Sequence, residues 1–130
     1  MHKKHFFAIL FVSWMMFVTF SSLYSFDQDE LSSINIPNAD KLVHFTFYFV
    51  GLVLGSLYIL QLKGQGHVLL RKISILAFFL ILFGIIIEVI QGTMTLNRSG
   101  DFFDALANTT GVALGFIVVF RVFYKQRGLK

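Results

Sequence analysis

The chain has no cysteine, a single proline and few charged residues, which make up 14% of its 130 positions. The absence of thiols excludes a disulfide scaffold, and the charged fraction is well below the roughly 25% usual in soluble domains. Hydrophobic residues make up 56% of the chain and include 17 phenylalanines. A soluble domain of this length cannot bury so much apolar surface, and the same composition excludes a disordered chain. We therefore predict an integral membrane protein.

Four apolar runs are each long enough to cross a bilayer, which takes about 20 residues in a helix. They lie at residues 5–26, 41–62, 73–91 and 102–124. Because helices satisfy their own backbone hydrogen bonds in lipid, the sequence predicts an all-α bundle of four transmembrane helices that forms one domain over residues 1–130. The first run resembles a signal peptide, but its cleavage site is poor because the large Leu23 lies at the −3 position, so we expect a retained anchor.

Basic residues are distributed unevenly around the four runs. Nine of the eleven lysines and arginines lie at the two chain ends or between the second and third runs, where no acidic residue lies. The positive-inside rule then places both termini in the cytoplasm. Although the net charge is +4, these basic residues flank apolar spans, so we expect no nucleic-acid partner.

Polar and ionisable residues gather at the opposite end of the predicted spans, where each is costly and marks a functional site by default. The group comprises Asp40, Lys41, His44, Glu88, Gln91, Arg98, Asp101, Asp104 and Asn108. At about 100° per residue, all of these residues except Lys41 and Arg98 share helix faces with glycines. The glycines include a Gly-x-x-x-Gly spacing at Gly111 and Gly115 that is typical of close helix packing. The sequence predicts a polar pocket between spans two, three and four that is open to the cell exterior, with the first span as a support.

The residue types in this pocket indicate several roles. Lipid disfavours an ionised carboxylate, so we assign Glu88, with His44 and Asp104, as candidate catalytic acids and bases. The oxygens of Asp101 and Asp104 suit a divalent cation such as Mg²⁺. The substrate-binding candidates are Asp40, Lys41, Gln91, Arg98 and Asn108. Each group also has a structural interpretation: Glu88 can pair with Lys41 or Arg98, and Asp101 can cap the fourth helix.

Three segments, taken in order, resemble the motifs of the VanZ-like membrane proteins. They are Asp-Lys-Leu-Val-His-Phe at 40–45 followed by Tyr48 and Gly51, Ile-Glu-Val-Ile-Gln at 87–91, and the run from 98 to 111 with its Arg, Asp, Asp, Asn and Gly. The resemblance covers residues 40–115. It implies a bacterial protein of the cytoplasmic membrane and cell envelope, and the family name adds a connection to resistance against glycopeptides such as teicoplanin. The resemblance implies no specific reaction.

Our leading functional prediction is an outer-leaflet pocket that binds or modifies an envelope lipid, a lipid-linked precursor or a lipophilic glycopeptide. The choice between binding and catalysis stays open, as do the metal dependence and the oligomeric state. One alternative is a structural bundle whose polar groups only hold the helices together. A small dimeric transporter is less favoured, because Glu88 lies near the outer end of its span whereas transporter sites lie near the bilayer midplane.

Overall fold

The structure is a computed structural model that describes residues 2–24, 38–94 and 100–127. Within these ranges it consists of four helices and contains no β-strand. They are α1 (His2–Leu23), α2 (Ala39–Leu60), α3 (Gly66–Met94) and α4 (Phe102–Arg127). Each helix is long and apolar enough to cross a membrane, in α4 over Phe102–Phe123. The predicted all-α fold with four transmembrane helices is confirmed.

The helices differ from the predicted spans mainly at their ends. Helix α1 begins at His2 instead of residue 5, and α2 lies two residues earlier than predicted. The largest difference is in α3, which begins at Gly66 and not at residue 73. Arg71 and Lys72 end the apolar run at this point, but both are good helix formers. The helix therefore continues beyond the segment that hydropathy alone identifies.

Helix α2 packs most closely against α4, and two glycines of α4 make this approach possible. A Cβ atom added at Gly111 would collide with the backbone carbonyl of Phe45, and one at Gly115 would lie 3.3 Å from the carbonyl oxygen of Phe49. Small residues let helix backbones approach closely in membranes. This contact sets the height of the first turns of α2 and α4 relative to each other.

The interior contains two apolar clusters below the polar end of the bundle. The cluster nearer the polar residues consists of Val18, Tyr48, Leu52, Leu80 and Val112. The second lies toward the basic end and consists of Ile59, Leu69, Ile73, Val119 and Phe123. Helix α1 joins the bundle partly through Trp14, whose indole N–H donates to the carbonyl of Phe47 at 2.8 Å. Large apolar side chains such as Phe20 and Phe78 are exposed on the outside, as expected for a surface in contact with lipid.

Candidate functional site

The predicted site residues meet at the end of the bundle where α2 and α4 begin and α3 ends. Two layers can be distinguished there. The outer layer consists of Asp40, Lys41 and Asp101, and the inner layer consists of His44, Glu88, Asp104 and Asn108. All four inner-layer residues are buried, whereas Asp40 is exposed and Lys41 and Asp101 are half-buried. The site is therefore accessible through its outer layer, and its inner layer is shielded from solvent.

Lys41 connects the outer layer to the inner one. Its Nζ lies 3.1 Å from Asp40 Oδ2, 3.3 Å from Asp101 Oδ2 and 3.4 Å from Asp104 Oδ1. A single ammonium group thus bridges the first turn of α2 and the start of α4. The pairing of Lys41 with Glu88, one of the structural interpretations of the sequence, is not among its contacts in the described structure, since three aspartates surround the ammonium group instead.

Asp101 caps helix α4. Its Oδ1 accepts a hydrogen bond from the backbone N–H of Phe103 at 2.9 Å, which satisfies one of the free N–H groups at a helix start. This bond, together with the nearby Lys41, holds the pKa of the Asp101 carboxyl below its ordinary value. Both Asp101 oxygens therefore have partners within the chain. The sequence predicted a divalent cation between Asp101 and Asp104, and in the structure the Lys41 ammonium group lies there.

His44 is at the centre of the inner layer. Its Nδ1 lies 3.2 Å from Asn108 Oδ1 and 3.3 Å from Glu88 Oε1, and the Asn108 amide donates to the same Glu88 oxygen at 3.4 Å. Because both neighbours of Nδ1 are acceptors, we place the imidazole proton on that nitrogen. The other nitrogen, Nε2, faces Asp104 Oδ2 at 3.8 Å, which is too long for a hydrogen bond.

Two buried oxygens of this region have no hydrogen-bond partner within the described residues, namely Glu88 Oε2 and the hydroxyl of Tyr48. Gly84 makes room here: a Cβ atom at this position would lie 3.1 Å from the Tyr48 ring and 3.2 Å from Asn108 Cβ. Most buried polar atoms in proteins have partners. The inner layer therefore has hydrogen-bonding or ligand capacity that the described residues do not use.

Gln91 and Arg98 are the remaining two candidates. The amide of Gln91 donates to the backbone carbonyl of Ser22 at 3.0 Å, so it links α3 to the end of α1. Arg98 lies outside the described residues. The sequence did not predict the contact of Ser22 with Gln91. Helix α1 carries no ionisable residue near its end, and the contact uses a backbone atom of Ser22.

An apolar groove between α1 and α3 is a second feature that the sequence did not predict. It has a volume of about 1140 Å³ and reaches Leu23 and Tyr24 at the polar end of the bundle. Its lining includes Met15, Met16, Phe20, Leu80, Phe83 and Ile86. Such a groove depends on the distance between two helices, which the apolar pattern of either helix does not reveal.

The described pocket has more acidic than basic groups. Asp40, Glu88, Asp101 and Asp104 face Lys41 and His44. Charge is expensive in a membrane unless it is paired. The carboxylates therefore suit a cation or the hydrogen-bond donors of a ligand, and the Lys41 ammonium group is the position suited to an anionic group of that ligand. The acids and the imidazole can also exchange a proton with a bound polar group.

A comparison with known proteins identifies the family of this chain. A family model described as VanZ/LLP1 matches residues 6–124, a range that contains the whole pocket and reaches into all four helices. The match confirms the resemblance seen in the motifs of residues 40–115. No curated protein and no solved structure shows a significant match.

Proposed function

The chain is a membrane protein of the VanZ/LLP1 family, and we propose that it acts in the bacterial cell envelope on the headgroup of a lipid or lipid-linked precursor. The headgroup binds in the outer layer, where Asp40, Lys41 and Asp101 are accessible. His44, Glu88 and Asp104 contact it from below as acid and base.

The observation that carries this proposal is the convergence of buried titratable groups from three helices. His44 comes from α2, Glu88 from α3 and Asp104 from α4, and each is less than a tenth exposed. Groups of this kind in different environments are the usual components of acid–base sites. A pocket with such groups at one bundle end fits a headgroup that enters from the membrane surface.

The charge distribution supports a pocket on the outer side of the membrane. The basic residues Lys63, Arg71 and Lys72 lie at the end of the bundle opposite the pocket, with the basic chain termini. By the positive-inside rule, this end is cytoplasmic in our proposal and the pocket opens into the outer leaflet of the cytoplasmic membrane.

The apolar groove between α1 and α3 supports a lipid over a water-soluble ligand. It reaches Leu23 and Tyr24 near the same end as the pocket. The lining is apolar, so it suits an acyl or polyprenyl chain whose headgroup extends toward the polar layers. A lipophilic glycopeptide, with its own hydrocarbon tail, presents the same combination of an apolar chain and a polar head.

A structural bundle is the second candidate, and the internal ion pairs of Lys41 favour it. In that case the polar groups serve each other and no ligand. A transporter fits less well, because the described polar cluster lies at one end of the bundle and alternating access needs a site that both sides reach.

The proposal is tested by lipid retention. We would place the purified chain in nanodiscs of zwitterionic lipid with one of three added probes: phosphatidylglycerol, a polyprenyl-diphosphate-linked sugar or a lipoglycopeptide. Native mass spectrometry then counts the molecules retained per chain. We expect one probe to be retained at one copy, and Lys41→Gln to weaken retention by about tenfold or more, equivalent to about 1.4 kcal/mol.

Lys63→Gln is the matched control, because it removes the same charge from an exposed position at the opposite end. It should retain the probe as the wild type does. Retention of no probe above its bulk proportion, or equal losses in the two variants, would contradict the headgroup proposal.

A further inference from the structure

The inner layer contains more negative charge than the described residues neutralise. Asp104 has Lys41 beside one of its oxygens. Glu88 is 5% exposed, faces an amide and an imidazole, and has a second oxygen without a hydrogen-bond partner in the described part of the chain. Burying an ionised carboxylate without a counter-charge is highly unfavourable. The inner layer therefore needs a compensating positive charge, which is a proton on Glu88 or His44 or a metal ion.

The positions of the atoms favour a metal ion. One ligand atom each from His44, Glu88 and Asp104 lie within 4.8 Å of one another. Two ligands of an ion with bonds of about 2.0–2.2 Å lie at most about 4.4 Å apart, so a small closure of the three side chains completes the site. The 3.8 Å gap between His44 Nε2 and Asp104 Oδ2 is long for a hydrogen bond but lies within this range.

The contacts of His44 also favour a metal ion. A metal-binding histidine almost always donates its other ring N–H to a carboxylate or carbonyl oxygen, which fixes the ring. In this structure Nδ1 faces Asn108 Oδ1 at 3.2 Å, and Asn108 also donates to Glu88. With the proton on Nδ1, the lone pair is on Nε2, which lies 3.8 Å from Asp104 Oδ2. Glu88 Oε1 lies beside Nδ1, so the Glu88 oxygen left for an ion is Oε2, which has no partner among the described residues. Asn108 contacts both His44 and Glu88.

We propose that His44, Glu88 and Asp104 bind one first-row divalent transition metal ion, such as Zn²⁺ or Mn²⁺. An imidazole ligand favours these ions over Mg²⁺ and Ca²⁺, which prefer oxygen ligands alone. This site differs from the one predicted at Asp101 and Asp104, where the Lys41 ammonium group bridges the two carboxylates. The proposal does not depend on headgroup binding, since the three ligands all come from the chain. In the ion-bound form these three side chains would hold the ion and would not serve as a free acid and base toward the headgroup.

Metal binding is measured on the full chain in detergent after treatment with a chelator and its removal. Zn²⁺, Mn²⁺ and Mg²⁺ are titrated by calorimetry, and Co²⁺ is added as a spectroscopic probe for nitrogen and oxygen ligation. We expect one Zn²⁺ or Mn²⁺ per chain with much weaker Mg²⁺ binding. Glu88→Gln and Asp104→Asn, which preserve side-chain shape, should each weaken binding by about 100-fold or more, since even outer-shell changes cost 10–100-fold.

One control separates this site from other metal-binding groups. The double variant His2→Ala/His5→Ala removes exposed histidines at the opposite end and should bind as the wild type does. Absence of a bound ion in the wild type, equal binding of Mg²⁺ and Zn²⁺, or loss of binding in the histidine double variant would overturn the proposal. Circular dichroism checks that the variants are folded. Because no lipid is added, a failure to bind metal would not contradict the headgroup proposal, which the lipid-retention experiment tests separately.

Discussion

Individual polar residues of this bundle differ in whether their hydrogen bonds serve the fold or leave capacity for a ligand. Gln91 donates to the carbonyl of Ser22, one of the last carbonyls of α1, which lack partners within the helix. Glu88 shares one oxygen between His44 and Asn108 and leaves the other without a partner in the described structure. Gln91 thus completes a helix end, whereas Glu88 keeps one oxygen available for a ligand.

This difference predicts opposite effects on stability when the two positions are changed. Gln91→Leu leaves the Ser22 carbonyl without its donor, so we expect a loss of about 1–2 kcal/mol and a lower melting temperature. Glu88→Gln retains an oxygen that accepts from His44 and Asn108 and removes a buried charge. It should melt at or above the wild-type temperature in the presence of a chelator.

Thermal melting in detergent, with the chelator present throughout, measures both effects without the contribution of a bound metal. If His44 is instead a protonated partner of Glu88, breaking that buried pair costs about 3–5 kcal/mol. A marked drop in the melting temperature of Glu88→Gln would therefore support the structural-bundle alternative and count against a ligand site.

At the scale of helices, the contact between α2 and α4 determines the geometry of the pocket. Lys41 and His44 lie one turn apart on α2, and Asp104 and Asn108 lie one turn apart on α4, so the two pairs meet only at one relative height. The backbone of Gly111 lies against the carbonyl of Phe45, one residue after His44. The glycine therefore aligns the two polar pairs as well as holding the helices together.

We predict that Gly111→Ala separates these helices. The new methyl group would collide with a backbone atom, which cannot turn away as a side chain can, and overpacking of this kind costs about 1–3 kcal/mol or more. Unfolding in a denaturing detergent series measures the change. The same variant should bind Zn²⁺ less tightly, because His44 and Asp104 belong to the two separated helices.

Gly92→Ala is the control for this prediction, since Gly92 is exposed on α3. An exposed helical glycine loses stability relative to alanine, so this variant should be neutral or more stable by about 0.5–1 kcal/mol. Equal stability of Gly111→Ala and the wild type would show that the α2–α4 contact is looser than described.

The whole molecule is asymmetric along the membrane normal. One end combines the polar pocket with the part of the apolar groove at Leu23 and Tyr24, and the other carries most of the basic residues. This asymmetry supports the proposed orientation, with the pocket outside and the termini in the cytoplasm. A pocket on the cytoplasmic side would have different ligands available.

The absence of native cysteine allows a direct test with single-cysteine variants. Met94→Cys places a thiol at an exposed position at the end of α3, and Gln65→Cys places one just before its start. A membrane-impermeant maleimide should label Met94→Cys in intact cells and Gln65→Cys only after the cells are permeabilised. The reverse pattern would place the pocket in the cytoplasmic leaflet and exclude the proposed function there.

The sequence by itself determined the class, the number of spans and the residues that face inward. Composition and apolar runs require a membrane bundle, because no soluble domain of this length buries so much apolar surface. Helical periodicity identified the buried face of α4 with Asp104, Asn108 and Gly111, since a period of 3.6 residues fixes the direction of each side chain around its own axis.

Only the tertiary structure decided which of these residues are partners. The sequence left Glu88 free to pair with Lys41, whereas the structure places Lys41 among three aspartates and Glu88 beside His44 and Asn108. The bond from Gln91 to Ser22 and the groove beside α1 were likewise unforeseen. Such partners depend on the height and rotation of one helix relative to another. Contacts between residues distant in sequence, such as Gly111 with Phe45, set this height and rotation. The periodicity within a single helix does not contain this information.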